Sequence, residues 1–223
     1  MLAEAWKNNH PFCAAPLADI VWPGQNAGTC VRSVAGTHSD MLAQTYRFTV
    51  EEYRKLGEVG LFDEDDRVEL INGEIIVMSP IGYRHGQTVT NLNECLMEQA
   101  KRRFMVSPQN PVELDQYSEP QPDIVLVPRT MRTAKRHPLP GDVLLLIEVA
   151  DTSLPYDRET KLAICARTGV REFWIVNLRD NVLETFHAPQ GESYMQMRTF
   201  APGETAHPEA FDDVAVPVAD IIA

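Results

Sequence analysis

Apolar residues along this chain gather into short runs, and two of the runs adjoin a carboxylate. Ile124-Val125-Leu126-Val127 follows Pro122-Asp123, and Leu144-Leu145-Leu146-Ile147 leads into Glu148-Val149. Unbroken aliphatic runs of this length read as strands buried on both faces. Acidic side chains are depleted in strands and seldom buried without a partner, so Asp123 and Glu148 require a reason. An antiparallel pairing around the segment 128–142 that sets Val127 opposite Leu144 also sets Asp123 opposite Glu148. Directly opposite residues share a face of the sheet, with Cβ atoms roughly 4.5–5.5 Å apart. Two carboxylates at that spacing repel, and a divalent cation between them relieves the repulsion. The same spacing also fits two strand-end carboxylates that simply reach water.

The pattern around these runs predicts a mixed α+β fold built on a central sheet. Thr49-Val50-Glu51-Glu52 is a capping-box pattern opening a short helix through Leu56 that closes near Gly57 or Gly60. Val68–Ile71 and Glu74–Met78 flank Asn72-Gly73, the dipeptide of a two-residue hairpin turn. Residues from His85 to about Arg103 carry Val89, Leu92, Leu96 and Ala100 at helical spacing, with Lys101-Arg102-Arg103 expected in the last turn, where the helix dipole favours cations. Val112–Leu114 reads as a further short strand. Pro122 suits the first position of the Asp123 strand, because it donates no ladder hydrogen bond. Asp157 is expected to cap a helix that contains Lys161, Leu162, Cys165 and Ala166 and stops at Gly169. Phe173–Val176 and Val182–Phe186 form strands around the turn 178–181, and a terminal strand or two follow through Tyr194–Met197 and Val214–Val216.

Residues 1–44 lack periodicity and are punctuated by Pro11, Pro16, Pro23, Gly24, Gly28 and Gly36, which predicts a loosely ordered extension. A stretch such as Phe12–Trp22 has the composition to pack on the domain or on a partner. The folded domain is expected over residues 45–223.

Composition narrows the function classes. Hydrophobic residues at 44% and charged residues at 23% match a globular protein, and the formal net charge of -12 argues against broad, sequence-independent attraction to nucleic acid. A local basic groove stays open, and the main basic stretch is the segment holding Arg129, Arg132, Lys135 and Arg136; a solvated loop fits it equally. Cys13, Cys30, Cys95 and Cys165 form no Cys-x-x-Cys pair, so neither a zinc knuckle nor a redox motif is indicated. No apolar run reaches membrane-spanning length and the start lacks the order of a secretory signal, which sets the expectation of a cytoplasmic protein.

Six separated blocks occur together: Val68-Glu69-Leu70-Ile71-Asn72-Gly73-Glu74, Met78-Ser79-Pro80 with His85, Pro122-Asp123, Ile147-Glu148-Val149, Asp157-Arg158-Glu159-Thr160-Lys161-Leu162, and Gly169-Val170-Arg171-Glu172-Phe173-Trp174-Ile175-Val176. In this order they resemble the Uma-type restriction endonuclease family, part of the nuclease superfamily named for its Pro-Asp…Asp/Glu-x-Lys motif. The resemblance spans roughly residues 45–223 and implies a restriction endonuclease-like fold with a central mixed sheet flanked by helices. It implies that Asp123 and Glu148, with the carbonyl of Val149, bind a divalent cation. The superfamily's usual lysine position, two residues after the second acid, is Ala150 here, and Lys161 on the following helix is the implied replacement. From residue spacing alone, Lys161 reads as readily as a surface lysine paired with Asp157 one turn earlier. Glu69 and His85 are auxiliary candidates, the first to hold a second metal or orient a ligand, the second to meet a phosphate. An outward-facing strand residue and a helix-start donor are their plainer readings. Oxygen ligands suit Mg²⁺ or Mn²⁺, either of which polarises a phosphodiester and lowers the pKa of a bound water. The expectation is a DNA endonuclease, working as a homodimer since a near-symmetric duplex favours two-fold symmetry. An idle nuclease fold serving as an interaction module is the alternative.

Overall fold

The computed structural model describes residues 45–63 and 66–223; the expectations for residues 1–44, including Phe12–Trp22, lie outside the described residues. The elements run α1 (Val50–Glu58), β1 (Val68–Ile71), β2 (Glu74–Val77), α2 (Tyr83–Ala100), β3 (Phe104–Pro108), β4 (Ile124–Pro128), β5 (Leu145–Ala150), α3 (Leu154–Tyr156), a π-helical turn (Asp157–Lys161), α4 (Leu162–Thr168), β6 (Glu172–Asn177), β7 (Val182–Gln190), β8 (Ser193–Phe200), β9 (Thr205–Ala206), β10 (Val216–Pro217) and α5 (Val218–Ile221). Six of the strands form one mixed sheet in the order β3-β4-β5-β6-β7-β8. Only the β5–β6 pair is parallel, and it is bridged by the α3–π–α4 helical segment, as a parallel crossover requires.

Alternation along the strands divides the core into two layers. Ile124, Leu126, Leu145, Ile147, Val149, Trp174 and Val176 face one side and pack against Leu92, Leu96 and Ala100 of α2 and Ile221 of α5. Val125, Val127, Leu146, Ala150, Phe173 and Ile175 face the other, against Ile71 of the hairpin, Leu154, and Ile164 and Cys165 of α4. Both faces are covered, which explains why the central strands read as unbroken apolar runs. The β4–β5 register pairs Ile124 with Ile147 and Leu126 with Leu145, the alignment expected from the sequence. Its continuation by one residue places Asp123 beside Glu148, both on the hairpin-and-α4 face.

Local signals account for the outer elements. Thr49 caps α1 with a reciprocal bond from Glu52, as expected, and the helix runs two residues beyond Leu56. Asn72 and Gly73 both have positive φ, 52° and 81°, the pairing that a tight two-residue hairpin turn demands. Two expectations are corrected. Val112–Leu114 is not a strand: it is a loop whose amides bond to the carbonyls of Pro120 and Ser118 while Val112 and Leu114 fill the second core layer. The edge strand lies earlier, at β3. Finally, Lys101–Arg103 fall beyond the last turn of α2, where Lys101 and Arg102 take left-handed backbone angles that turn the chain into β3. No helix among the described residues is long and apolar enough to cross a membrane.

Candidate active site

The start of β4 and the end of β5 lie side by side because the strands are antiparallel, and α2 begins at the same end of the sheet. Asp123 reaches across to β5, where its Oδ2 accepts the Val149 amide at 2.8 Å. The same oxygen lies 3.1 Å from His85 Nε2, presented by the first turn of α2. Glu148 accepts the Lys161 ammonium at 3.0 Å through Oε1, and its Oε2 lies 3.4 Å from the Asp123 amide. Glu69, from β1, faces inward: its Oε2 is 3.1 Å from Lys161 Nζ and accepts the Gln121 amide at 3.2 Å. Asp123, Glu148, Val149, Lys161, Glu69 and His85, inferred from six separated blocks, therefore meet at one end of the sheet. The plainer readings of Glu69 as an outward-facing residue and of Lys161 as a surface lysine do not hold, since both are buried.

Asp157 is the member that sequence reasoning placed wrongly. It does not cap the helix, which starts three residues earlier at Leu154 behind Ser153. Instead Asp157 is buried in the π-helical turn with Lys161, and its charge acts on both Glu148 and Lys161. The available signal was the four-residue spacing to Lys161, which puts both on one helical face. Tyr156 beside it is a further addition; its hydroxyl is buried without a hydrogen-bond partner among the described residues.

The electrostatics follow from crowding four carboxylates and one ammonium into a buried cluster. Burial pushes the carboxyls of Glu148 and Asp157 upward, against the opposing pull of Lys161. Burial alone would depress Lys161, but Glu148, Glu69 and Asp157 around it hold its pKa well above the ordinary lysine value. At His85, the bond and charge of Asp123 outweigh burial and raise the imidazole pKa. Carboxylates outnumber cations here, and excess buried negative charge is costly unless a cation balances it. His85 Nδ1 is also buried with no partner among the described residues. The oxygen donors of Asp123, Glu148, Glu69 and Asp157 are of the type that hard divalent ions prefer, although among the described residues the group whose ligand atoms all lie within 4.8 Å of one another is Glu172, His187 and Glu209.

The basic segment does not join this cluster. Arg129, Arg132, Lys135 and Arg136 follow the far end of β4, about 17 Å along the strand from Asp123, and Arg136 is paired with Asp142 at 2.6 Å. A second set of ligand-type side chains, Glu172, His187 and Glu209, was not singled out from sequence and lies on the opposite face of the sheet from Glu148. There Glu172 already accepts Trp174 Nε1 at 2.6 Å and the Glu209 amide at 2.8 Å.

Comparison with known proteins agrees with the fold. A crystal structure described as a "putative nuclease belonging to DUF820", from Anabaena variabilis ATCC 29413, superposes with a TM-score of 0.62 at 13% identity, covering 78% of this chain and 97% of that one. The type IIG restriction endonuclease BpuSI gives a TM-score of 0.38 at 15% identity over 62% of this chain and 18% of that one. No curated protein matches. The Uma2 family, described as "Putative restriction endonuclease", matches residues 50–219, so this chain belongs to that family.

Proposed function

We propose that residues 45–223 form a metal-dependent endonuclease domain that hydrolyses phosphodiester bonds in DNA, with residues 1–44 as an extension to it. The observation that carries this reading is the convergence of Asp123, Glu148 and Lys161 at the β4–β5 end, where Glu148 accepts the Lys161 ammonium and lies beside the Asp123 amide. Asp123 and Glu148, with the Val149 carbonyl, would hold Mg²⁺ or Mn²⁺. A divalent ion held there supplies Lewis acidity toward the phosphodiester and an acidified water. The chain's own groups do the rest. Lys161 stays charged, because three carboxylates surround it, and offers its ammonium to charge developing on the phosphoryl oxygens or to the attacking water. His85 is braced through Nε2 on Asp123, and its buried Nδ1 would meet a phosphate only if the ring turned out of its pocket. Glu69 is a second carboxylate on Lys161, beside Glu148, and restrains its swing.

Arg129, Arg132 and Lys135 are proposed to meet DNA backbone away from the scissile bond, and a homodimer would bring two sites to the two strands. The net charge of -12 supports a second reading, an idle fold used as an interaction module. Incubating supercoiled plasmid with the protein and Mg²⁺ or Mn²⁺, beside an Asp123→Ala variant, separates the two. The nuclease reading expects nicked and linear products whose rate falls at least about 100-fold in the variant, since the lost ligand contributes several kcal/mol to the transition state. Equal nicking by both proteins, or none by either, would sink it.

A further inference from the structure

The helical turn that carries Asp157 and Lys161 is tied to the sheet at a second point. Glu184 on β7 lies opposite Ile175, and Ile175 lies opposite Glu148, so the three form one row across the same face. Glu184 is only 1% exposed and sits deep under the turn. Arg158, between Asp157 and Lys161 in the chain, grips it with two bonds: Nε to Oε2 at 3.0 Å, and Nη2 to Oε1. Asn177, at the end of β6, donates to Glu184 Oε1 at 2.8 Å and to Asp180 Oδ2 at 2.9 Å. Its own Oδ1 accepts the amides of Arg179 and Asp180, so the β6–β7 turn fixes the acceptor.

A buried carboxylate requires a cation, and that need alone explains an arginine near Glu184. It does not explain why the arginine comes from the π-helical turn. There Asp157 and Lys161 point towards β5 while Arg158 points towards β7, so one turn is held at both ends of the row. A two-pronged guanidinium fork fixes orientation as well as distance, which a point charge cannot do. We propose that Arg158 and Glu184, with Asn177 behind them, are positioning residues that set the rotation of this turn and thereby hold Lys161 and Asp157 in the site. Their effect on rate rests on the nuclease reading; their effect on the turn does not.

Glu184→Gln keeps the shape and the acceptor for Asn177 but removes the charge. Breaking half of a buried pair can unfold a domain, so the apolar double variant Arg158→Met with Glu184→Leu serves as the second probe. Two quantities are measured on each: plasmid cleavage kinetics, and amide hydrogen exchange across residues 154–168. The clamp predicts kcat down roughly 10–100-fold with KM within about twofold, as for groups that orient a site's first ligands. It also predicts exchange in the turn faster by at least about tenfold, with exchange in β5 and β6 unchanged. Wild-type exchange in the turn would overturn the proposal. So would a fall in kcat that only tracks global unfolding. Should the parent protein cleave no DNA, the nuclease reading fails, and the exchange result alone then decides the clamp.

Discussion

At the scale of single residues, burial decides what each charged group does. Glu148 and Lys161 are each displaced upward, for opposite reasons: the carboxyl by loss of water, the ammonium by its acidic neighbours. Glu148 and Asp157 therefore hold protons more readily than exposed carboxyls do. Glu172 shows the same physics away from the site. Burial raises its carboxyl from the usual 4.5 to about 7, against the opposing bonds from the Glu209 amide and Trp174. Because the folded-state pKa lies above the unfolded one, the folded state binds the extra proton between those values. Stability is therefore greatest below about pH 4.5 as far as this group is concerned, and is lost as pH rises through 7. The loss amounts to at most about 3 kcal/mol. Urea titrations at pH 5 and pH 8 are expected to show the parent losing more stability than Glu172→Gln over that interval; equal losses would contradict the assignment. Asp123 and Glu148 were legible in the sequence at this scale, because a carboxylate adjoining an aliphatic run is conspicuous. Asp157 was not, since an aspartate just ahead of a helical pattern reads as a cap.

At the scale of elements, turns were the most legible features and π-helical and edge geometry the least. The Asn72-Gly73 hairpin follows from local chemistry alone, and it is held by neighbours too: the Gly73 amide donates to the Tyr117 carbonyl at 2.7 Å, while its carbonyl accepts the Phe48 amide at 2.9 Å. A Cβ at Gly73 would sit 2.5 Å from Arg47 Cβ, at a φ of +81°. Gly73→Ala should thus lower stability by more than about 1 kcal/mol, read as a shift of the urea midpoint, and an unshifted midpoint would show that the hairpin bears no strain. The strand β3 was missed because it is short, lies at the sheet edge, and directly follows a basic stretch that looks like a helix end. Val112–Leu114 misled for the converse reason: its apolar residues are buried by a loop whose amides bond to the carbonyls of Pro120, Pro138 and Ser118 rather than to a sheet strand. The π-helical turn is invisible to periodicity, since its i to i+5 bond from the Leu162 amide to the Asp157 carbonyl leaves no mark on the spacing of apolar residues.

At the scale of the whole molecule, one register carries most of the account. The alternation that buries Ile124 and Ile147 towards α2 sends Asp123 and Glu148 to the other face, and the parallel crossover from β5 to β6 lays Lys161 over them. That arrangement was legible because both strands are strongly apolar and their pairing was constrained by two carboxylates; the placement of Lys161 came from resemblance and needed the fold to explain it. The central claim is that this cluster is a divalent-metal centre, and calorimetric titration with Mn²⁺ tests it without depending on a substrate. The account predicts binding by the parent, and loss of that binding in Asp123→Asn while Glu172→Gln binds as the parent does. Absence of Mn²⁺ binding by the parent, or binding that survives in Asp123→Asn and disappears in Glu172→Gln, would contradict it.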